Sequence, residues 1–346
     1  TLKIGQLVHS TNPETGGVAK AVTDISDALT IAGIKNVSYE DRDNLDKDIS
    51  FVIAHGLWQW PGFTAYHLLM NQKIPYAVFP HGMLDPWFKK AYPFKHFKKQ
   101  LFWWYRQGRI LKNAHSVFFT TEEERQLAQK TFWPYQCKEV VTGLGVGNPP
   151  ENDVMQSNSF SKKFVQAKNK KILLYMGRIH PKKGLDLLID AFGKYAGNEH
   201  LLMIAGPIER NDSYYQSLFQ CSQKFGNRIL WTGMLDGDLK WGAIRSSEAL
   251  ILPSHQENYG MVVAEALSVG TPVLTTHKVN LWREVVQYDA GIVKNDDIGG
   301  INSLVNSWIK GHVIGKSLNA KHCFEEKLHI QKTAKVIIEI AKSSMS

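Results

Sequence analysis

Ile251-Leu252-Pro253-Ser254-His255-Gln256-Glu257-Asn258-Tyr259-Gly260-Met261-Val262-Val263-Ala264-Glu265-Ala266-Leu267 is the stretch on which the reading of this chain turns. It opens on the apolar run from Ala249 to Leu252, which reads as a buried strand. A polar loop with one Pro follows. From Gly260 the residues are small and apolar with no breaker until Gly270, so the spacing predicts a helix. Glu257 then lies in the loop and Glu265 a turn or more inside the helix. Between them, the free N–H groups near Gly260, Met261 and Val262 open a helix N-terminus, which attracts phosphate through unpaired donors and its dipole.

Two carboxylates beside a phosphate site conflict unless the ligand also carries hydroxyls. A nucleotide sugar has them on both sides of its diphosphate, and carboxylates accept hydrogen bonds from them. The Glu-x7-Glu spacing, with Asn258-Tyr259-Gly260 after the first Glu, Leu252-Pro253-Ser254 before it and Gly270-Thr271-Pro272-Val273 after, resembles the signature of retaining family-four glycosyltransferases. The resemblance covers most of the chain and is more specific in the second half. It implies a GT-B architecture: an α/β chain with two Rossmann-like, doubly wound domains facing a cleft.

Upstream, Gly177-Arg178-Ile179-His180-Pro181-Lys182-Lys183-Gly184 follows a predicted strand at 172–176 and resembles that family's phosphate motif. Ligands of open α/β sheets gather at the carboxyl ends of strands. Arg178 offers a planar fork and Lys183 a mobile point charge, a pair suited to a departing diphosphate. The bland alternative is a basic surface loop. His81, in Pro80-His81-Gly82-Met83-Leu84-Asp85-Pro86-Trp87, matches the family histidine that meets the donor sugar; Asp85 reads better as a turn residue. The resemblance also implies that backbone near Met234 reads the base, that Glu257 holds sugar hydroxyls with Asn258 and Tyr259 beside it, and that Glu265 holds the ribose. Gly16 and Gly17, between a strand and a helix, are placed for phosphate approach, although a tight turn explains them equally well.

Alternating strand and helix patterns fill 1–147 and 170–326, giving two doubly wound domains; the resemblance implies that the first is the acceptor domain and the second the donor domain. The polar segment 148–169 reads as the linker. A helical pattern from Phe324 to Ala341 follows, and in proteins of this type the last helix, about 327–346, packs back on the first domain. Single helices are expected at 94–111 and 122–132. No apolar run approaches the ~20 residues of a membrane span. The chain starts directly on a strand, without a signal peptide, and its three scattered cysteines fit a reducing cytosol.

The 346 residues carry a formal charge of +9, and Lys89, Lys90, Lys95, Lys98, Lys99, Arg106, Arg109 and Lys112 lie in a span, 86–121, that has no Asp or Glu. Trp87, Phe88, Tyr92, Phe94, Phe97, Phe102, Trp103, Trp104 and Tyr105 interleave with them. Amphipathic packing, nucleic-acid binding and contact with an anionic bilayer all compete for this segment. The reading preferred is peripheral membrane contact or capture of a lipid-diphosphate acceptor, with Trp87, Lys89, Lys90, Lys98 and Lys99 facing it and no nucleic acid.

Other motifs fail. Asp236-Gly237-Asp238 opens a helix, where Asp is an ordinary N-cap, and the resemblance implies no metal and no cofactor. Gly143-Leu144-Gly145-Val146-Gly147 does not start a βαβ unit, so a nicotinamide cofactor is unsupported. Gly311 to Ser317 is one residue short of a P-loop. The function expected is transfer of a hexose from a nucleoside-diphosphate sugar, UDP-glucose first, to a sugar or lipid-linked hydroxyl in polysaccharide or glycolipid assembly. GDP-mannose and UDP-N-acetylglucosamine stay open as donors. A sugar-nucleotide epimerase or hydrolase and a basic nucleic-acid-binding protein are the alternatives.

Overall fold

The computed structural model describes residues 2–12, 17–42 and 44–345. The chain divides into two compact units: Thr1–Gly147 with Leu328–Ser346, and Asn148–Lys327. Each is a six-stranded, wholly parallel sheet whose successive strands are joined by helices, except the second and third strands of the first unit.

In the first unit the order along the chain is β1 (Lys3–Leu7), α1 (Gly17–Ile31), β2 (Lys35–Tyr39), β3 (Phe51–His55), α2 (Trp60–Gln72), β4 (Tyr76–Phe79), α3 (Trp87–Ala91), α4 (Pro93–Phe102), α5 (Gly108–Asn113), β5 (Ser116–Phe119), α6 (Glu122–Ala128) and β6 (Glu139–Val141). The sheet order is β2-β1-β3-β4-β5-β6. Every residue of β3, β4 and β5 is buried, as expected where helices cover both faces. The order reverses between β1 and β3, which is where an open α/β sheet receives a ligand.

The second unit runs α7 (Asp153–Lys163), β7 (Lys171–Met176), α8 (Leu185–Tyr195), β8 (His200–Ala205), α9 (Ser213–Gln223), β9 (Ile229–Gly233), α10 (Gly237–Ser246), β10 (Ala249–Leu252), α11 (Met261–Ser268), β11 (Val273–Thr276), α12 (Trp282–Gln287), β12 (Gly291–Lys294), α13 (Ile298–Ile309) and α14 (Ser317–Cys323). Its sheet order is β12-β11-β10-β7-β8-β9, the doubly wound dinucleotide-fold order, and its switch point lies between β7 and β10.

The last helix, α15 (Ile330–Ser343), belongs to the first unit and packs on α1. Its entry is pinned by Val146 N donating to Leu328 O at 2.8 Å and Ile330 N donating to Val146 O at 3.0 Å.

The segment 148–169 is not the free linker that its polar residues imply. It carries α7, which packs on α10 at Gly242, where a Cβ would lie 2.3 Å from Gln156 O. Arg245 of α10 holds it further, donating to Gln156 Oε1 at 2.9 Å and pairing with Asp153 at 3.0 Å. The expected helix over 94–111 is three pieces, with a wide π turn at Trp103–Gln107 between α4 and α5. Its apolar residues point both ways: Trp103, Ile110 and Leu111 are buried, whereas Phe94, Phe97, Leu101 and Trp104 are exposed. Periodicity therefore could not mark the break. The expected helix over 122–132 stops at Ala128. The pattern over 324–341 is also broken, by a π turn at Phe324–Leu328 before α15.

Candidate active site

The second unit brings the sequence-derived residues together at its switch point. The loop after β7 and the loop after β10 meet backbone to backbone, with His255 N donating to Lys182 O at 2.7 Å. The approach requires glycine at 184: its φ is +67° and a Cβ would lie 2.3 Å from Pro253 O. Lys183, ending a single 3-10 turn at Pro181–Lys183, consequently reaches Glu257, and the two form an ion pair. Glu257 is itself fixed by its backbone, donating to Lys278 O at 2.9 Å and accepting from Asn280 N at 3.1 Å.

Arg178 is exposed, and its backbone carbonyl accepts from the buried Tyr175 hydroxyl at 2.7 Å. Burial pushes the pKa of that hydroxyl up, making it a weaker acid; the Glu257 carboxylate pushes it up further, and Arg178 opposes them. Tyr175 thus has both the acid and the guanidinium near it. His180 is held below the ordinary histidine range by burial and by the neighbouring cations Lys182, Arg178 and Lys183. This end of the second sheet is a concentrated positive field.

Helix α11 begins at Gly260, whose φ is +76°, and its first N–H groups, on Met261 and Val262, have no intrahelical acceptor. Both residues are half-buried. Glu265 sits one turn on, nearly buried, and pairs with Lys240 of α10 at 2.6 Å. Lys240 was not recognised in the sequence, because it lies 25 residues away on another helix. Tyr259, expected beside the donor, is 4% exposed and belongs to the buried core. Asn258 is half-buried, its Oδ1 3.4 Å from Asn280 Nδ2. Met234 is 72% exposed beyond the end of β9. Asp236 occupies the N-cap position of α10, yet its side chain makes no capping bond, so its expected capping role is absent. Among the described residues no group of His, Cys, Asp and Glu is arranged to hold a metal ion.

In the first unit, His81 follows β4 at a φ of +52° and is half-buried. Its Nε2 lies 2.9 Å from Nδ1 of His55, the last residue of β3, and its ring stacks on Phe79 with centroids 4.3 Å apart. His55 Nε2 lies 3.1 Å from Gln6 Oε1 on β1. Burial pushes His81 down to about 3 and holds His55 well below its ordinary value, aided by its neighbour. Both rings are neutral. The next residue, Gly82, donates its N–H at 2.6 Å to the buried Glu124 carboxylate, which also accepts from Thr120 N at 2.7 Å and Thr120 Oγ1 at 2.6 Å. Gln6, His55 and Glu124 were missed in the sequence. Gln6 and His55 lie within strands, and Glu124 looked like one of three equivalent glutamates in a helical first turn. Gly16 lies outside the described residues. Gly17 is the exposed first residue of α1, with nothing within 4 Å of where a Cβ would stand. Asp85 takes the turn role, accepting from Trp87 N at 2.7 Å.

Trp87 is half-buried, edge-on to Phe88 and Tyr92, while Lys89, Lys90, Lys98 and Lys99 are exposed. No residue of α4 is buried. Phe94, Phe97, Leu101 and Trp104 follow one another at spacings of three and four residues and are 87%, 61%, 47% and 49% exposed.

Residues 156–322 match the family model for glycosyl transferases group 1, and residues 31–141 match that for a glycosyl transferase 4-like domain. These are the two domains of a GT-B-type glycosyltransferase. An uncharacterized glycosyltransferase of Methanocaldococcus jannaschii is 25% identical over 250 residues, 69% of this chain and 59% of that protein. The D-inositol 3-phosphate glycosyltransferase of Mycolicibacterium smegmatis is 28% identical over 134 residues, 38% of this chain and 31% of that protein. The matched stretches thus span less than two thirds of these relatives. The fold is shared with sucrose-phosphate synthase from Thermosynechococcus elongatus (TM-score 0.76, 15% identity, 99% of each chain covered). It is also shared with Anabaena HepE in complex with UDP and glucose (TM-score 0.75, 15% identity, 99% and 100% covered).

Proposed function

We propose that this GT-B chain transfers a hexose from a nucleoside-diphosphate sugar to an acceptor hydroxyl with retained configuration, and that UDP-glucose is the first donor to try. The observation that carries the reading is the Lys183–Glu257 pair at the second unit's switch point, beside the open end of α11. In this reading the diphosphate takes Lys183, Arg178 and the Met261 and Val262 N–H groups. Glu257, released from Lys183, accepts from sugar hydroxyls, while Lys240 holds Glu265 ready for the ribose. A phosphate arriving at Lys183 replaces one anionic partner with another, so the lysine stays paired throughout the exchange. Arg178, Lys183 and the helix end stabilise the charge that grows on the leaving phosphate. No carboxylate is assigned as a nucleophile: the leaving phosphate takes the acceptor proton in a front-face displacement. The reading requires no metal. The UDP bound in the HepE structures supports uridine as the first base to test.

The same reading places the acceptor on a lipid surface at the inner face of a membrane. What supports this is the uncovered aromatic stripe of α4, flanked by Lys95, Lys98 and Lys99. Such a helix lies at the headgroup level of an anionic bilayer, each nearby cation contributing roughly 1 kcal/mol. A thermal-shift screen of nucleotides and nucleotide sugars tests the donor, since a ligand bound only by the folded chain raises its apparent stability. Loss of the sugar donor with product formed on an acceptor supports transfer. Consumption without transfer would favour a hydrolase or epimerase instead.

A further inference from the structure

The hydrogen-bond chain behind His81 has a direction that can be read from its far end. Asn36 Nδ2 has three acceptors around it: Ser26 O at 3.2 Å, Thr30 Oγ1 at 3.1 Å and Ile34 O at 3.3 Å. Its Oδ1 must therefore be the atom turned to Gln6, 3.4 Å from Gln6 Nε2. Gln6 Nε2 also donates to Ser26 Oγ at 2.6 Å. The Gln6 amide is thereby oriented with Oε1 toward His55. An amide oxygen can only accept, so His55 carries its proton on Nε2. His55 Nδ1 is then bare and accepts, so the proton between the rings belongs to His81 Nε2. A neutral His81 with a proton on Nε2 has a bare Nδ1. No hydrogen bond to that atom occurs among the described residues, and the ring is half-buried rather than sealed.

We infer that Asn36, Gln6 and His55 are positioning residues that set the tautomer of His81, so that its Nδ1 meets the substrate sugar as a hydrogen-bond acceptor for a hydroxyl. The inference rests on the glycosyl-transfer reading for the identity of the ligand, but the tautomer itself does not. His55 ends β3 and Gln6 lies near the end of β1, at the carboxyl-end switch point where a ligand would approach, whereas Asn36 lies behind them near the amino end of β2. Glu124 holds the backbone on the other side, through Gly82 N, so the ring is fixed in place as well as in proton position. Burial favours the neutral form of both rings and keeps the arrangement intact through the physiological range. A ring so fixed would discriminate a hydroxyl-bearing sugar from its deoxy or fluoro analogue, since neither analogue donates to a bare nitrogen.

The test is nitrogen NMR on the full chain labelled with 15N-histidine, assigned through a His81→Gln variant. The expected wild-type spectrum shows His81 Nδ1 as unprotonated and Nε2 as protonated. In Gln6→Leu, the amide that orders His55 is gone, and the two His81 nitrogens should shift toward an average. Turnover of the nucleotide sugar should fall about tenfold, the worth of one ordinary hydrogen bond. Binding of the free nucleoside diphosphate should stay unchanged. A protonated Nδ1 in the wild type overturns the inference whether or not Gln6→Leu folds. So does a folded Gln6→Leu chain whose nitrogens average while turnover and deoxy-sugar discrimination hold. A wild-type spectrum as expected in a chain that consumes no nucleotide sugar supports the tautomer lock and overturns the glycosyl-transfer reading.

Discussion

The two sheets use their switch points in opposite ways. In the second unit the place is charged: Lys183 with Glu257, and Lys240 with Glu265, beside exposed Arg178. In the first it is neutral: His81, His55 and Gln6 share protons without carrying net charge. A diphosphate suits the first kind of surface, because fixed cations and a helix N-terminus offset its charge. The second kind offers a directional acceptor that binds a neutral hydroxyl without attracting an anion. The same parallel-sheet architecture carries a charged switch point in one unit and a neutral one in the other because the residues at the strand ends differ, not the strands.

The sharpest way to break that contrast is to remove cations from the charged end. Arg178→Ala and Lys183→Ala should each lower turnover about a hundredfold or more, roughly 3 kcal/mol of transition-state stabilisation. Near-normal steady-state rates in either variant would remove the phosphate assignment. Gly184→Ala probes the loop contact rather than the charge. It forces a side chain into left-handed backbone against Pro253 O and should cost about 2 kcal/mol of stability, read by thermal unfolding.

The neutral end should reveal itself through pH. His55 is fully buried and its folded-state value lies well below the unfolded one. Above the unfolded value, near 6.5, both states are neutral and the group contributes no pH dependence. As pH falls below that value the unfolded chain takes a proton that the folded chain refuses, so stability is lost by about 1.4 kcal/mol per pH unit for each such histidine. Unfolding midpoints between pH 7 and 5 should track this slope, and His55→Asn should flatten it. The smallest effect is expected at α4. Phe97→Ser should weaken binding to anionic vesicles several-fold, and salt should weaken the parent chain likewise. Equal retention on neutral and anionic vesicles would exclude the bilayer reading.

What was legible from the sequence was whatever lies close along the chain. Strand β10 coincides with the apolar run Ala249–Leu252, and Glu257, Gly260 and Glu265 sit on loop, helix start and helix as their spacing implies. Lys183 and Glu257 were each singled out, although their pairing joins positions 74 residues apart. What stayed hidden was polar chemistry inside strands and helices. Gln6 and His55 are embedded in runs that read as core, and their partners are 20 to 49 residues distant. Edge strands β2 and β12 were missed because half-exposed strands lack a continuous apolar run.

The return of α15 to the first unit has a bearing on biogenesis. Residues 328–346 cover α1, yet they leave the ribosome only after every residue of the second unit has been made. The half of the protein that is translated first is thus the half completed last, and its unfinished apolar face must persist, or be chaperoned, for the whole interval of synthesis between.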